Sequence, residues 1–139
     1  MTTKRIVVTG IGASSPLGGT AAESWQNLLA GASGARPMEQ EWVSRFELPV
    51  TFAAQAAVQP TEVLDRVVTK RLDPSSQFAL IAGREAWADA GSPEVDPERL
   101  GIDWATGIGG VSTTLAACET LRSRGPRRVL PPTTTMILL

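Results

Sequence analysis

Few side chains of this 139-residue sequence are suited to catalysis. It has one cysteine, Cys118, and no histidine. Catalysis of the Ser-His-Asp or Cys-His type therefore cannot be built from these residues, and the commonest transition-metal ligand is missing. Cys118 lies mid-helix in TLAACETL, with no local cation or base to activate a thiolate. We expect Cys118 to be a small buried residue, and expect no metal site.

A glycine-rich turn near the N-terminus has residue types that could cradle a phosphate. Gly10 and Gly12 directly follow the β-branched run Arg5–Thr9, which predicts a strand. Dinucleotide binding uses amides at a helix N-terminus and a third glycine at a fixed spacing. Here Ser15 takes that third position, and Pro16 has no amide. A structural turn is therefore favoured, and a nucleotide-binding α/β domain is kept as an alternative.

A second glycine cluster runs from Gly107 to Gly110 and follows a strand predicted over Leu100–Thr106. Glycine at a strand-to-helix crossover allows close backbone packing, which is the simpler interpretation. The functional interpretation is a loop of small residues that leaves room for a substrate. Ile108 would then be its one bulky side chain. The pattern alone favours the structural interpretation.

Three predicted helices would position the two glycine-rich turns. They are predicted over residues 20–31, 74–91 and 112–124. Thr20 and Glu23 have the spacing of a capping box, and Asp73 with Pro74 can begin the second helix. Gly125 stops the third helix.

The second helix carries a stripe of mostly small or apolar residues, which predicts a core helix. The stripe is Phe78, Ile81, Ala82, Glu85 and Ala86. Between Gly34 and about Asp65 the sequence is irregular, with a short strand predicted within Val50–Val58. Strand, turn and helix recur at both ends of the chain, which favours a layered α/β fold over an all-α or all-β fold.

Composition excludes several classes of partner. The net charge is −1, and basic residues form only short groups, so neither nucleic acid nor an anionic membrane is indicated as a partner. No apolar run approaches the roughly 20 residues that span a bilayer. A lone cysteine fits a reducing cytoplasm. The length suits about one domain with a substantial core.

Several motifs occur together and in order along the chain. They are RIVVTGIGASSPLGG, ESWQNLLAGASG, KRLD at 70–73, ATGIGG at 105–110 and GPRRV at 125–129. In this order they resemble the N-terminal portion of an elongating β-ketoacyl-acyl-carrier-protein synthase of the ketosynthase II type. EWV at 41–43 and AGSPEVDPERLG at 90–101 are similar to the actinobacterial branch.

The resemblance implies part of a thiolase-like fold, namely the first part of the N-terminal half of a layered α-β-α-β-α architecture. It also implies a decarboxylative condensation between an acyl thioester and malonyl-acyl carrier protein, in fatty-acid or polyketide synthesis, by a homodimer that needs no cofactor. The family's nucleophilic cysteine and two histidines would lie beyond Leu139. We therefore expect residues 1–139 to be an incomplete ketosynthase domain that is inactive alone and leaves buried faces uncovered.

The resemblance implies that two positions of this sequence are substrate-binding residues. Ile108 matches the family's Ile or Leu at the acyl pocket, and Thr134 would line the partner subunit's pocket. The chain departs from the family at Asp103-Trp104, within a strand expected to be buried, and at 132–139. An alternative function, a non-catalytic partner like a chain-length factor in a heterodimer, would be recognised by the residue at the nucleophile position.

Overall fold

The computed structural model describes residues 5–129, and most of their regular structure is helical. The helices are α1 (Ala21–Leu29), α2 (Glu41–Arg45), α3 (Pro60–Val63), α4 (Arg66–Arg71), α5 (Pro74–Asp89) and α6 (Val111–Arg124). The strands are β1 (Arg36–Pro37) and β2 (Phe52–Ala53), and 3-10 turns cover Pro97–Arg99 and Pro126–Arg128. Residues 5–59 form one compact unit with Ile81–Pro93, and Pro60–Leu80 form another with residues 94–129.

The cap predicted for α1 is present, with one shifted bond. Thr20 Oγ1 accepts a hydrogen bond from Glu23 N at 3.2 Å, as a capping box requires. The Glu23 carboxylate accepts from Gly19 N at 2.9 Å, one residue before the position that the motif predicts. Gly31 has a φ of +70°, and the helix ends before it. The sequence signals therefore located α1 correctly.

Helix α5 begins and ends as its signals predict. Pro74 is its first residue, and Asp73 Oδ1 accepts from Ser75 N at 2.8 Å. Gly91, with a φ of +81°, follows its end. Ala82 is buried at 8% exposure, and the rest of the predicted stripe is half-buried. This helix is the most buried long element in the described part of the chain, as the pattern predicts.

The strands predicted over Arg5–Thr9 and Leu100–Thr106 are wrong for residues 5–129, where neither segment joins a sheet. The sheet described there is β1 paired antiparallel with β2, with Arg36 opposite Ala53, which confirms the short strand predicted within Val50–Val58. A β-branched run becomes a strand only when another strand supplies its hydrogen bonds. Without one, Ile6 stays 98% exposed and Ile102 90% exposed.

The apolar core of residues 5–129 is small, contrary to the prediction from chain length. The buried apolar residues are Val43, Leu64 and Ala82, whereas many large apolar side chains are exposed. On α6 the face predicted to be apolar, Val111, Leu115, Cys118 and Leu121, is exposed. The predicted burial of Cys118 is therefore wrong, because nothing in the described structure covers that face. Within residues 5–129, no helix is long and apolar enough to cross a membrane.

Candidate functional site

In the first unit, two carboxylates of α5 accept hydrogen bonds from the glycine-rich turn. Glu85 uses both oxygens: Oε2 accepts from Ala13 N and Oε1 accepts from Ala21 N, each at 2.8 Å. Asp89 Oδ2 accepts from Ile11 N, also at 2.8 Å. A phosphate would need these amides free and would be repelled by the two acids. The geometry therefore rules against the nucleotide-binding alternative.

The glycines of this turn allow close packing of the backbone on α5. A Cβ on Gly12 would lie 2.6 Å from Ala86 N and would also overlap the Ala82 carbonyl. A Cβ on Gly10 would lie 2.6 Å from Ala90 N. Real Cβ atoms do not approach a backbone so closely, so only glycine fits at these positions. The structural interpretation of this cluster is confirmed.

An apolar groove of about 610 Å³ lies beside the same turn. Its walls include Ile11, Leu17, Trp25 and Leu28. Glu85 also lines it, but both of its oxygens are engaged by backbone amides. Asp89 lines the groove as well, and its Oδ2 accepts from Ile11 N. The apolar walls suit the groove to packing an apolar group.

In the second unit, the other glycine cluster is open. Gly109 has a φ of +73°, and its N–H donates to Thr106 Oγ1 at 3.1 Å, which closes the turn. A Cβ built on Gly107 or Gly109 would meet nothing within 4 Å. Ile108 is 81% exposed between them. The loop thus presents one bulky apolar side chain that the described residues leave uncovered.

Asp73 is the most buried acidic residue of the described chain, at 4% exposure. Its Oδ1 accepts from Ser75 N and Ser75 Oγ, at 2.8 and 2.7 Å, and its Oδ2 accepts from Thr113 Oγ1. Burial raises the pKa of Asp73, but the hydrogen bonds from Thr113 and Ser75 together outweigh it, so the pKa lies below its ordinary value of 3.8. The ionised Asp73 therefore stabilises the folded state at pH values above the ordinary pKa. This stabilisation is lost as the pH falls through the lower pKa of the folded state.

Gln77, one turn after Asp73, is the other buried polar residue. Its Nε2 donates to Leu72 O at 2.7 Å and to Thr69 O at 3.0 Å, at the end of α4. Sequence reasoning assigned Asp73 only a capping role and missed both its link to α6 and the role of Gln77. Glu85 did give a signal, because it is the one charged residue in the α5 stripe predicted to be buried.

The sequence predicts two substrate-binding residues, Ile108 and Thr134, and no catalytic residue. Ile108 lies in the open glycine loop, and Cys118 lies on the exposed face of α6. Thr134 lies outside the described residues. Asp103 is exposed, so its charge carries no burial cost. Between residues 5 and 129, no three His, Cys, Asp or Glu side chains converge as metal ligands.

Sequence comparisons identify relatives of the whole chain. The family described as "Beta-ketoacyl synthase, N-terminal domain" matches residues 3–138. A 3-oxoacyl-[acyl-carrier-protein] synthase 2 of Coxiella burnetii is 37% identical over 134 residues, 94% of this chain and 32% of its own length. The synthase 2 of Mycobacterium tuberculosis is 32% identical over 128 residues, 92% of this chain and 31% of its own length. The chain spans about a third of the length of these relatives.

Solved structures of ketosynthases are also similar to this chain. A β-ketoacyl synthase from Burkholderia phymatum superposes with a TM-score of 0.71 at 28% identity, covering 96% of this chain and 34% of that one. The ishigamide ketosynthase/chain length factor superposes with a TM-score of 0.65 at 27% identity, covering 94% and 33%. The predicted partial thiolase-like α/β fold is thereby confirmed. The chain belongs to the β-ketoacyl synthase family and corresponds to its N-terminal domain.

Proposed function

We propose that these 139 residues are the N-terminal part of a 3-oxoacyl-acyl-carrier-protein synthase, an acyltransferase of fatty-acid or polyketide synthesis. The match over residues 3–138 carries this proposal, and the names of the relatives supply the reaction and the acyl carrier protein as partner. The complete protein would act as a homodimer in the cytoplasm. These residues would supply scaffold and part of an acyl pocket.

In the proposed reaction, a cysteine thiolate attacks an acyl thioester, the carrier thiol leaves, and the acyl group stays on the enzyme. Malonyl-carrier protein then loses CO₂, and the resulting carbanion attacks the acyl-enzyme carbonyl and displaces the cysteine thiolate. The sequence has no histidine to stabilise the developing oxyanions, and Cys118 lies mid-helix without an activating partner. The chemistry is therefore proposed to belong to other residues of the complete protein.

Within this chain, Ile108 is the proposed acyl-pocket residue. Its exposure of 81%, between two glycines with open surroundings, leaves it available to contact an acyl chain. A larger side chain at this position would shorten the space that an acyl chain can fill. Thr134, proposed by resemblance to line the partner's pocket, stays a prediction.

A second candidate function is a non-catalytic partner subunit. The similarity to the ishigamide ketosynthase/chain length factor, at 27% identity, supports this alternative. The two candidates differ at one position of the complete protein: a cysteine where the family has its nucleophile indicates a synthase, and glutamine or another residue indicates the partner. Determining the downstream coding sequence would decide between them.

The proposal is tested by incubating the purified complete protein with acyl- and malonyl-acyl carrier protein and measuring 3-oxoacyl product and released CO₂. We expect stoichiometric amounts of both products. Cys118→Ser is the matched control and should retain condensation, because Cys118 is not the proposed nucleophile. Absence of product with the wild-type protein would contradict the proposal, and loss of activity in Cys118→Ser would assign the chemistry to this chain.

A further inference from the structure

The first turn of α6 is attached to the start of α5 by one side-chain bond. Thr113, the third residue of α6, donates its hydroxyl to Asp73 Oδ2. Asp73 is buried and Thr113 is half-buried, so water competes little for this bond. Hydrogen bonds to a charged acceptor are roughly twice as strong as neutral ones. This bond therefore has the strength to fix where α6 begins.

The loop that carries Ile108 is continuous with that first turn. Val111 N donates to Gly109 O at 3.0 Å, and Thr114 N donates to Gly110 O at 2.8 Å. No side chain caps this end of α6, since its N-cap residue is Gly110. Anything that fixes the start of α6 therefore also fixes Gly109 and Gly110, which directly follow Ile108.

We propose that Asp73 is a positioning residue that, through Thr113, holds the 106–110 loop and thereby sets the length of acyl chain that Ile108 admits. The inference rests on the proposed function for the effect on acyl chains. The attachment itself rests only on the geometry.

The competing explanation is that Asp73 only caps α5. The three donors to its carboxylate separate the two explanations. Two come from Ser75, two residues along the chain in the first turn of α5, and the third comes from Thr113 in α6. Removing the Ser75 hydroxyl thus weakens the cap and leaves the link to α6, whereas removing the Thr113 hydroxyl cuts the link and leaves the cap.

The test compares Thr113→Val with Ser75→Ala in the complete protein, and Thr113→Ser serves as the conservative rescue. Amide hydrogen exchange of residues 106–113 is the first measurement. We expect Thr113→Val to speed exchange there about tenfold, the equivalent of about 1.4 kcal/mol. Ser75→Ala and Thr113→Ser should leave exchange of this segment near the wild-type rate.

The second measurement is the ratio of kcat/KM for long over short acyl primers. Thr113→Val should change this ratio several-fold, whereas Ser75→Ala and Thr113→Ser should change it less than twofold. A purely structural loss would lower both values of kcat/KM together and leave their ratio unchanged. If Thr113→Val does not fold, Thr113→Ala provides a second variant, because it also removes the hydroxyl that donates to Asp73 and leaves the bonds from Ser75 in place.

The outcomes separate the two proposals. If the wild-type complete protein does not condense substrates, the proposed function fails, and hydrogen exchange still decides the attachment. Equal exchange in Thr113→Val and Ser75→Ala would overturn the attachment. Faster exchange in Thr113→Val alone, with an unchanged chain-length ratio, would overturn the control of acyl-chain length.

Discussion

The two glycine clusters of this chain have similar composition and opposite environments. Around Gly12, backbone packs so closely on α5 that a single added carbon overlaps main-chain atoms. Around Gly107, an added carbon meets nothing within 4 Å. The first cluster allows the backbone to pack closely on α5, and the second is surrounded by open space. Glycine content alone therefore does not distinguish a closely packed turn from an open loop.

The hydrogen bonds of the two clusters differ in the same way. Amides of the first turn donate to Glu85 and Asp89, two carboxylates of a different element. In the second loop, Gly109 N donates to Thr106, three residues away. The first turn is thus fixed by distant partners. The turn of the second cluster is closed by this local bond, and its bulky residue, Ile108, stays exposed.

The largest effect is expected when the first cluster loses a glycine. Gly12→Ala should destabilise the complete protein by about 3 kcal/mol or more, because the new Cβ overlaps the backbone at Ala82 and Ala86. Denaturant unfolding measures this loss. Gly107→Ala is the matched control and should change stability by no more than about 0.5 kcal/mol. Similar losses in both variants would remove the distinction between the two clusters.

The next effect concerns the acids that hold the first turn. Glu85→Gln keeps one oxygen that can accept from one of the two backbone amides and points its own N–H at the other amide N–H. This change should lower the free energy of unfolding by about 1–3 kcal/mol. Asp89→Asn removes the same charge but can still accept the single bond from Ile11 N, so we expect a change within about 0.5 kcal/mol. Denaturant unfolding in moderate salt compares the two variants. Equal losses would assign the effect to charge rather than to bonding.

Local sequence signals located α1, α5 and α6 well, missed the short helices α2, α3 and α4, and located the strands poorly. Thr20, Asp73 and Pro74 act within a few residues of themselves, so their effect on the helix ends could be predicted from sequence. Arg5–Thr9 and Leu100–Thr106 have strand composition, but a strand depends on partners that are distant in sequence. Neither segment is paired within residues 5–129. The resemblance to a family identified the fold where the local pattern misplaced its strands.

For the candidate site, the sequence proposes Ile108, whose role in an acyl pocket stays a prediction, and does not indicate the residues that we propose hold its loop. The motif at 105–110 placed Ile108 by resemblance alone. The bond from Thr113 to Asp73 joins positions 40 residues apart, and neither residue type marks such a pair in a sequence. Glu85 is intermediate, because a lone acid on an apolar helix stripe indicates that something must donate to it, but does not identify the donor.

The smallest effect, and the one most specific to function, concerns the open loop. Ile108→Phe in the complete protein should lower kcat/KM for long acyl primers roughly tenfold, about 1.4 kcal/mol, because the ring fills space that a long chain needs. Short primers should react with Ile108→Phe at the wild-type rate, and Ile108→Ala should still accept long primers. Equal turnover of both primer lengths by Ile108→Phe would show that the open glycine cluster, like the packed one, has only a structural role.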